Sequence, residues 1–210
     1  MISRIEPIEI LSKTLQKMKD EFVALLTSTN RAGVGKVIAY LDKAGFFIAP
    51  ASICLHLNHD GGLVEHSLNV CHTALRLRNM LIEMKPDLKE RLPEDSVKIA
   101  ALLHDVCKSN IYHKVARYRK DANGRWETYQ GYEVDYSRFP FGHGEKSVVM
   151  LLRLGLELTN DELLAIRWHM GAWDLPFQSY EEKSNISSAS GVPLVALLQA
   201  SDGLAAHILE

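Results

Sequence analysis

Apolar residues recur at helical spacing through most of the chain. Between residues 5 and 27 they fall at every third or fourth position, which predicts an amphipathic helix. A shorter helix is predicted over residues 33–43, and Gly45 would stop it. Further helices are predicted over residues 63–84, 93–106, 142–155 and 159–169, and from Pro193 onward, whereas residues 179–191 are a polar stretch. The segment before His104 is apolar nearly all round, so its helix is expected at the centre of the molecule.

Residues 112–136 break this helical pattern. Val, Tyr, Trp and Thr alternate with polar residues on both sides of Asn123-Gly124, a dipeptide typical of hairpin turns. We therefore predict an all-α protein with one inserted β-hairpin. The expected organisation is an N-terminal helical segment, residues 1–45, and a main domain, residues 46–210, with the insertion at about 112–136.

Composition narrows the class of protein. The chain has 210 residues, of which 47% are hydrophobic, which suits one compact domain. A formal net charge of −2 excludes an overall positive field that would hold nucleic acid or an anionic membrane, although a local basic patch stays open. The three cysteines cannot all pair, and no signal-peptide pattern or bilayer-length apolar run occurs. These features predict a cytoplasmic protein with reduced thiols and no membrane partner.

The dipeptide His-Asp occurs twice, in different contexts. His59-Asp60 lies in a glycine-rich loop, whereas His104-Asp105 ends the apolar segment KIAALLHDVCK. Two ionisable groups in that segment would be costly to bury without partners. A metal ion would offset the cost and would use a neutral imidazole and a carboxylate. The alternative is a buried, hydrogen-bonded polar cluster.

Several segments resemble a known family in order and in context. GGLVEHSLNV, ALLHDVCK and ASDGLA resemble the His…His-Asp…Asp signature of the HD superfamily of metal-dependent phosphohydrolases. FGHGEKS and IRWHM supply two more histidines, which match the binuclear branch of that superfamily. The resemblance runs from about residue 59 to residue 210 and implies an HD-type helical bundle. It implies six metal ligands, namely His66, His104, Asp105, His143, His169 and Asp202.

This ligand set indicates the cofactor. Imidazole and carboxylate together suit Fe, Mn, Zn, Co or Ni better than Ca or Mg, so we expect one or two divalent transition metal ions. With two ions, Asp105 would bridge them; His66, His104 and Asp202 would complete one site, and His143 and His169 the other. Such a pair can clamp a phosphoryl group and activate a water. With one ion, the last two histidines would instead lie around it or contact substrate.

Three further residues are candidates for substrate binding. Lys108 follows Asp105 by three residues and would lie one turn along. The resemblance implies that it contacts substrate phosphate, so Asp105 and Lys108 are the catalytic candidates. Lys146 and His59 are the other substrate-binding candidates. Two of the three have a simpler alternative: a solvated cation at a helix end for Lys108, and a loop histidine without a role for His59.

The predicted function is hydrolysis of a phosphate ester of a nucleotide, cyclic nucleotide or short oligonucleotide by metal-activated water. Within the superfamily the chain is similar to binuclear phosphodiesterases and to a group of 3′-5′ exoribonucleases. Two alternatives stay open: a di-iron oxygenase on the same six ligands, and a nucleotide-binding module without turnover. The sequence also leaves a homo-oligomer open.

The hairpin bears on the substrate. Six basic residues between 108 and 125 interleave with aromatic ones, a combination that can hold phosphates and stack bases. The alternative is a hairpin whose aromatics pack inward while its charges are solvated. A hairpin that borders the crevice would favour a nucleotide or oligonucleotide substrate.

Overall fold

The computed structural model describes residues 7–53, 55–135, 137, 139, 141–171 and 179–210, with side chains from residue 13 onward. Cys54 and Tyr136 lie outside the described residues. The helices are α1 (Pro7–Thr27), α2 (Val34–Ala44), α3 (Gly62–Met84), α4 (Leu88–Arg91), α5 (Glu94–Leu103), α6 (His143–Arg153), α7 (Asn160–Trp168), α8 (Tyr180–Ala189) and α9 (Pro193–Leu204). Strands β1 (Tyr112–Lys120) and β2 (Trp126–Val134) form the hairpin. The predicted all-α class with one inserted hairpin is confirmed.

Helices α3 and α5 form the centre of the bundle. Helix α3 packs against α1, α5 and α9, and α7 packs against α5, α6 and α9. Ile99, Leu102 and Leu103 of α5 are fully buried, as the apolar run predicted. Burying one such side chain contributes about 1.5–3 kcal/mol. The core therefore fixes the C-terminal end of α5, where His104 and Asp105 follow.

Two glycines allow backbone segments to approach closely near that end. A Cβ on Gly144 would lie 2.2 Å from the carbonyl oxygen of Arg167, so α6 can start against the end of α7. A Cβ on Gly62 would lie 2.0 Å from the carbonyl oxygen of Leu57, so the 51–60 loop packs directly on α3. A larger residue at either position would push these segments apart.

The described part of the N-terminal segment packs on the same core. Phe22 of α1 lies 5.2 Å from Phe46 and 5.5 Å from Phe47, ring centre to ring centre. Arg31 donates two 2.8 Å hydrogen bonds to the buried Glu162 of α7. The boundary at residue 45 stays a prediction.

The structure contains the short helix α4, which was not predicted, and it differs from the predicted helices at two further places. Helix α5 ends at Leu103 rather than near Val106, and a 3-10 turn covers Val106–Asn110. The Cys107 N–H donates to Ser147 Oγ of α6 at 3.2 Å instead of to α5, so a tertiary contact ends the helix. The stretch over residues 179–191, which the sequence marks only as polar, also contains α8, and a capping box between Ser179 and Glu182 begins this helix.

The hairpin is antiparallel, with a register that runs from Tyr112↔Val134 to Lys120↔Trp126. The Asp121 carboxylate orders the connecting loop, because it accepts from the N–H groups of Asn123 and Arg125 at 2.8 Å. At the open end, the Asp135 N–H donates to the Ile111 carbonyl at 2.8 Å.

Among the described helices, none by itself has the length and apolar character needed to cross a membrane. Only α8 taken together with Pro193–Leu209, a pair bent by 93°, meets that test by length and composition.

Candidate metal centre

Five helices bring the six predicted ligands together. His66 lies in the first turns of α3, and His104 and Asp105 directly follow α5. The other three come from α6, α7 and α9: His143 is the first residue of α6, His169 follows α7, and Asp202 lies near the end of α9. Their ligand atoms form overlapping groups of three, and the atoms of each group lie within 4.8 Å of one another.

One group lies around Oδ2 of Asp105. His66 Nε2 is 3.3 Å from His104 Nε2 and 3.2 Å from Asp202 Oδ1. Asp105 Oδ2 is 3.7 Å from the His66 nitrogen and 3.5 Å from that of His104. Ligand atoms that share one ion at about 2.0–2.2 Å lie roughly 3–3.5 Å apart. The spacing therefore suits a common ion.

The second group lies around the other oxygen of the same carboxylate. Asp105 Oδ1 is 2.5 Å from His143 Nε2 and 3.5 Å from His169 Nε2. The two oxygens of Asp105 are thus divided between the two groups, as in a carboxylate that bridges two ions.

Hydrogen bonds at Nδ1 orient three of the imidazoles. His104 Nδ1 donates to the Ala101 carbonyl at 2.8 Å, and His169 Nδ1 donates to the Ile166 carbonyl at 2.7 Å. His66 Nδ1 lies 3.0 Å from a carboxylate oxygen of Glu210. A proton held on Nδ1 leaves the Nε2 lone pair directed at the cluster, which is how protein metal sites fix the histidine tautomer.

The surroundings of one buried nitrogen indicate whether these residues suit a metal ion. In the described part of the chain, His169 Nε2 is buried and has no hydrogen-bond partner, because the Asp105 oxygen 3.5 Å away is too distant. An unsatisfied buried polar atom is costly. Coordination to a metal would satisfy it, and imidazole with carboxylate is the donor set of divalent transition metals. The cluster is therefore able to hold such an ion.

Charge interactions link the residues of the cluster. Burial alone would raise the pKa of Asp105, but Lys108, His104 and His143 hold it well below its ordinary value. Burial likewise opposes the charged form of His66, yet Asp202, Glu210 and Asp105 raise its pKa to about 9. His66 would therefore lose a proton when it binds a metal.

The centre opens into a crevice of about 580 Å³. Its walls come from the 51–56 loop, the base of the hairpin and α9. Lys108 Nζ lies in this crevice, 2.7 Å from Asp105 Oδ2 and 3.0 Å from the Ala51 carbonyl oxygen. Burial would lower the Lys108 pKa, but Asp105 outweighs it and keeps the amine protonated. Lys108 thus holds a positive charge beside the ligand cluster.

The other two substrate-binding candidates lie elsewhere. The His59 side chain is 51% exposed, and its Nε2 is 3.5 Å from Glu65 Oε2. It does not line the crevice. Lys146 lines a separate cavity together with Tyr40 and Arg153. The structure brings Lys108 to the centre but neither of these.

The fold also brings to the centre several residues that are not among the predicted site residues. Glu210 holds His66, and His56 lies in the crevice with a buried Nε2 that has no hydrogen-bond partner among the described residues. Tyr112 donates to the Ala51 carbonyl at 3.3 Å and lines the crevice. Glu210 is 144 residues from His66, so only packing could reveal that contact.

Comparison with known proteins agrees with this geometry. The HD domain family model matches residues 63–192, and the chain belongs to this family. That match includes five of the six ligands and stops short of Asp202. Dihydroneopterin 2′,3′-cyclic phosphate phosphodiesterase of Methanocaldococcus jannaschii is 33% identical over 88 residues, which cover 42% of this chain and 32% of that protein. The match thus spans about a third of the relative's length. No solved structure matches the chain.

Proposed function

We propose that the protein is a metal-dependent phosphohydrolase that cleaves a phosphate ester of a nucleotide, cyclic nucleotide or short oligonucleotide. One observation carries the proposal: the Lys108 ammonium lies 2.7 Å from Asp105, the central ligand, in a crevice of about 580 Å³. A fixed cation beside a metal cluster suits the negative charge of a phosphoryl group. The crevice volume is typical of sites for small molecules.

We infer a cofactor of one or two divalent transition metal ions held by the six ligands. The division of the Asp105 oxygens between two histidine groups favours two ions with Asp105 between them. When bound, such ions act as Lewis acids and lower the pKa of a water so that it can attack phosphorus.

The chain's own residues would position the ester. Lys108 is held by Asp105 and the Ala51 carbonyl, so its charge is placed before substrate arrives. It would bind a non-bridging phosphate oxygen and stabilise the charge that develops there. The Nδ1 hydrogen bonds of His104 and His169 keep those rings from turning. These contacts preorganise the site.

Two observations support a nucleotide-type substrate. The first is that the relative from Methanocaldococcus jannaschii is named for a cyclic phosphate diester.

The second is the position of the hairpin, which borders the crevice through Tyr112 and Val134. Side chains alternate between the two faces of a strand, so Tyr118 and Lys120 share the face of Tyr112. Trp126 stands opposite Lys120, and its ring centre lies 5.5 Å from Lys120 Nζ.

This outer hairpin surface suits bases that extend beyond the crevice. Tyr118 is 69% exposed and Trp126 is 70% exposed. Exposed aromatics next to a lysine are a sequence-independent platform for stacked bases.

The first test combines metal analysis with hydrolysis. Protein loaded with Mn, Fe or Zn should hold one to two ions and should hydrolyse bis(p-nitrophenyl) phosphate and 2′,3′-cyclic nucleotides. His66→Ala should lose metal and activity together. His72→Ala on the same helix is the matched control, because its Nε2 pairs at 3.0 Å with Glu21 outside the cluster. Two irons per chain, oxygen uptake and no ester hydrolysis would replace this proposal with a di-iron oxygenase.

A second test concerns the hairpin. Trp126→Ala should weaken cleavage of short oligonucleotides about five- to a hundredfold, which is the effect of losing one stacked base. It should leave hydrolysis of a p-nitrophenyl ester unchanged. Tyr180→Ala removes an exposed aromatic from α8 and is the matched control. Equal oligonucleotide kinetics in both variants would restrict the substrate to molecules that the crevice contains.

A further inference from the structure

A second cavity, of about 410 Å³, lies between α2, the 3-10 turn, the base of the hairpin and α6. Among the described residues, none lines both this cavity and the metal crevice. Its lining residues are Tyr40, Asn110, Ile111, Asp135, Phe139, Lys146, Met150, Arg153 and Leu154. The phosphohydrolase proposal gives this cavity no role.

Lys146 is the unusual residue of this cavity. Lys146 is only 6% exposed, and no carboxylate of the described chain lies within ion-pair distance of its ammonium. Phe139 offers its ring, whose centre is 6.0 Å from Lys146 Nζ. Most of this side chain is removed from water, and it lines the cavity without a counter-charge on the described chain, so its positive charge favours an anion there. Lys108, by contrast, has Asp105 at 2.7 Å. An anion in the cavity would supply the charge that Lys146 lacks.

The other walls suit a particular kind of anion. Arg153 lies two turns further along α6 and adds a second positive charge at the exposed edge. The Tyr40 hydroxyl and the Asn110 amide, 3.5 Å apart, offer donors on the opposite side. Asp135 is the one acidic residue among the described lining residues, and its Oδ1 accepts from the Ser137 N–H and Oγ at 2.8 and 2.6 Å.

Apolar side chains cover the remaining wall. Ile111, Met150 and Leu154 lie there beside Phe139. A purely inorganic anion would leave this surface without contact. The volume is in the range of small-molecule sites.

We propose that this cavity is a second small-molecule site that binds an organic anion. The anionic group, a phosphate or a carboxylate, pairs with Lys146 and Arg153, and a flat apolar body packs against Met150 and Ile111. The site is distinct from the metal centre and requires no metal.

Methionine methyl groups can report on the two sites separately. Met150 lies in this cavity, whereas Met170 lies in the metal crevice. Protein labelled with [¹³C-methyl]methionine is titrated with phenyl phosphate, benzoate and inorganic phosphate. Phenyl phosphate, benzoate or both should shift the Met150 signal saturably, and whichever binds more tightly identifies the anionic group. Inorganic phosphate should bind more weakly than the better aromatic probe. Met80 and Met84, both exposed on α3, should not move.

Variants assign the effect to the cations. Lys146→Gln should raise the dissociation constant measured at Met150 about tenfold or more, as expected for loss of a charge-assisted contact. Arg153→Gln should raise the dissociation constant by a smaller factor, because that residue lies at the exposed edge. Lys89→Gln, on α4, is the control and should have no effect. Should Lys146→Gln not fold, the exposed Arg153→Gln still tests the site.

The proposal is overturned if neither aromatic probe shifts Met150, or if the shift is the same in Lys146→Gln and Arg153→Gln as in the native chain. Shifts confined to Met170 would place binding at the metal crevice alone and would also overturn it. Loss of hydrolysis in the His66→Ala test has no bearing on Met150, so the two proposals can fail separately.

Discussion

The two His-Asp pairs of this chain have the same residues and opposite environments. His104 and Asp105 are buried, with exposed fractions of 0% and 2%. The side chains of His59 and Asp60 are 51% and 39% exposed. Each aspartate has a lysine at 2.7 Å, Lys108 for Asp105 and Lys114 for Asp60. The lysine pairing therefore does not distinguish them.

What differs is the number of groups that converge on the aspartate. Asp105 has His143 and His169 near Oδ1, and His66 and His104 near Oδ2. Asp60 instead accepts from Lys114 and from the Tyr132 hydroxyl, so it holds the hairpin to the 51–60 loop. An aspartate becomes a candidate metal bridge through imidazoles delivered by other helices. Matched substitutions in the two pairs should therefore have different effects.

The largest difference is expected between Asp105→Ala and Asp60→Ala. Asp105→Ala removes the carboxylate shared by both histidine groups, so metal content should fall and hydrolysis should drop by more than about a hundredfold. Asp60→Ala should retain its metal. Elemental analysis and steady-state kinetics measure both effects. Full metal content in Asp105→Ala would contradict the assignment of the site.

The two lysines should differ in kcat rather than in metal content. Lys108→Met should lower kcat about 10²–10³-fold, as expected for loss of a charge that stabilises the transition state. Lys114→Met should change kcat little, because that side chain is 54% exposed and contacts Asp60. Metal analysis of both variants is the control. If Lys108→Met loses metal in step with activity, its role is to hold Asp105 rather than substrate.

His66 of the ligand cluster and the exposed His59 each have a glutamate neighbour, so these two contacts can be compared. Glu210→Gln replaces the carboxylate that orients His66, so metal affinity should weaken about 10–100-fold. Glu65→Gln, beside His59, should leave it unchanged. Competition with a chromogenic chelator gives both affinities. Equal affinities would show that Glu210 does not orient a ligand.

Metal affinity should also depend on pH. Without metal, His66 has a raised pKa of about 9, so it is protonated near neutral pH and must lose that proton to bind an ion. Metal affinity should therefore rise by about tenfold per pH unit for each displaced proton as pH increases towards 9. Chelator competition at pH 6.5, 7.5 and 8.5 measures the slope. Affinity independent of pH over this interval would exclude a protonated His66 in the metal-free protein.

Much of the fold and the ligand set could be predicted from the sequence. The apolar run before His104 predicted a buried helix because its residues are apolar on every side, and α5 is fully buried there. The helix predicted over residues 159–169 is present as α7, and both hydrogen bonds of a capping box between Thr159 and Glu162 mark its start. The ordered histidines and aspartates predicted a cluster, and the structure brings all six together.

Other features could not be predicted, for physical reasons that differ between residues. Lys146 lies one turn after His143, which favoured a place near the substrate, yet the packing of α6 directs it into another cavity. Helix α5 ends before His104 because Cys107 donates to Ser147 of α6. Neither contact leaves a signal in local sequence, since each partner is distant along the chain.

The sequence by itself determined which residue types occur, their helical periodicity and their order, because these depend on short-range patterns. The tertiary structure decided which His-Asp pair is buried, how the Asp105 oxygens are divided, and that Glu210 orients His66. Those features depend on helix packing, which joins residues up to 144 positions apart. Lys146 is the remaining case, because only the packing shows that this lysine is buried without an anion among the described residues.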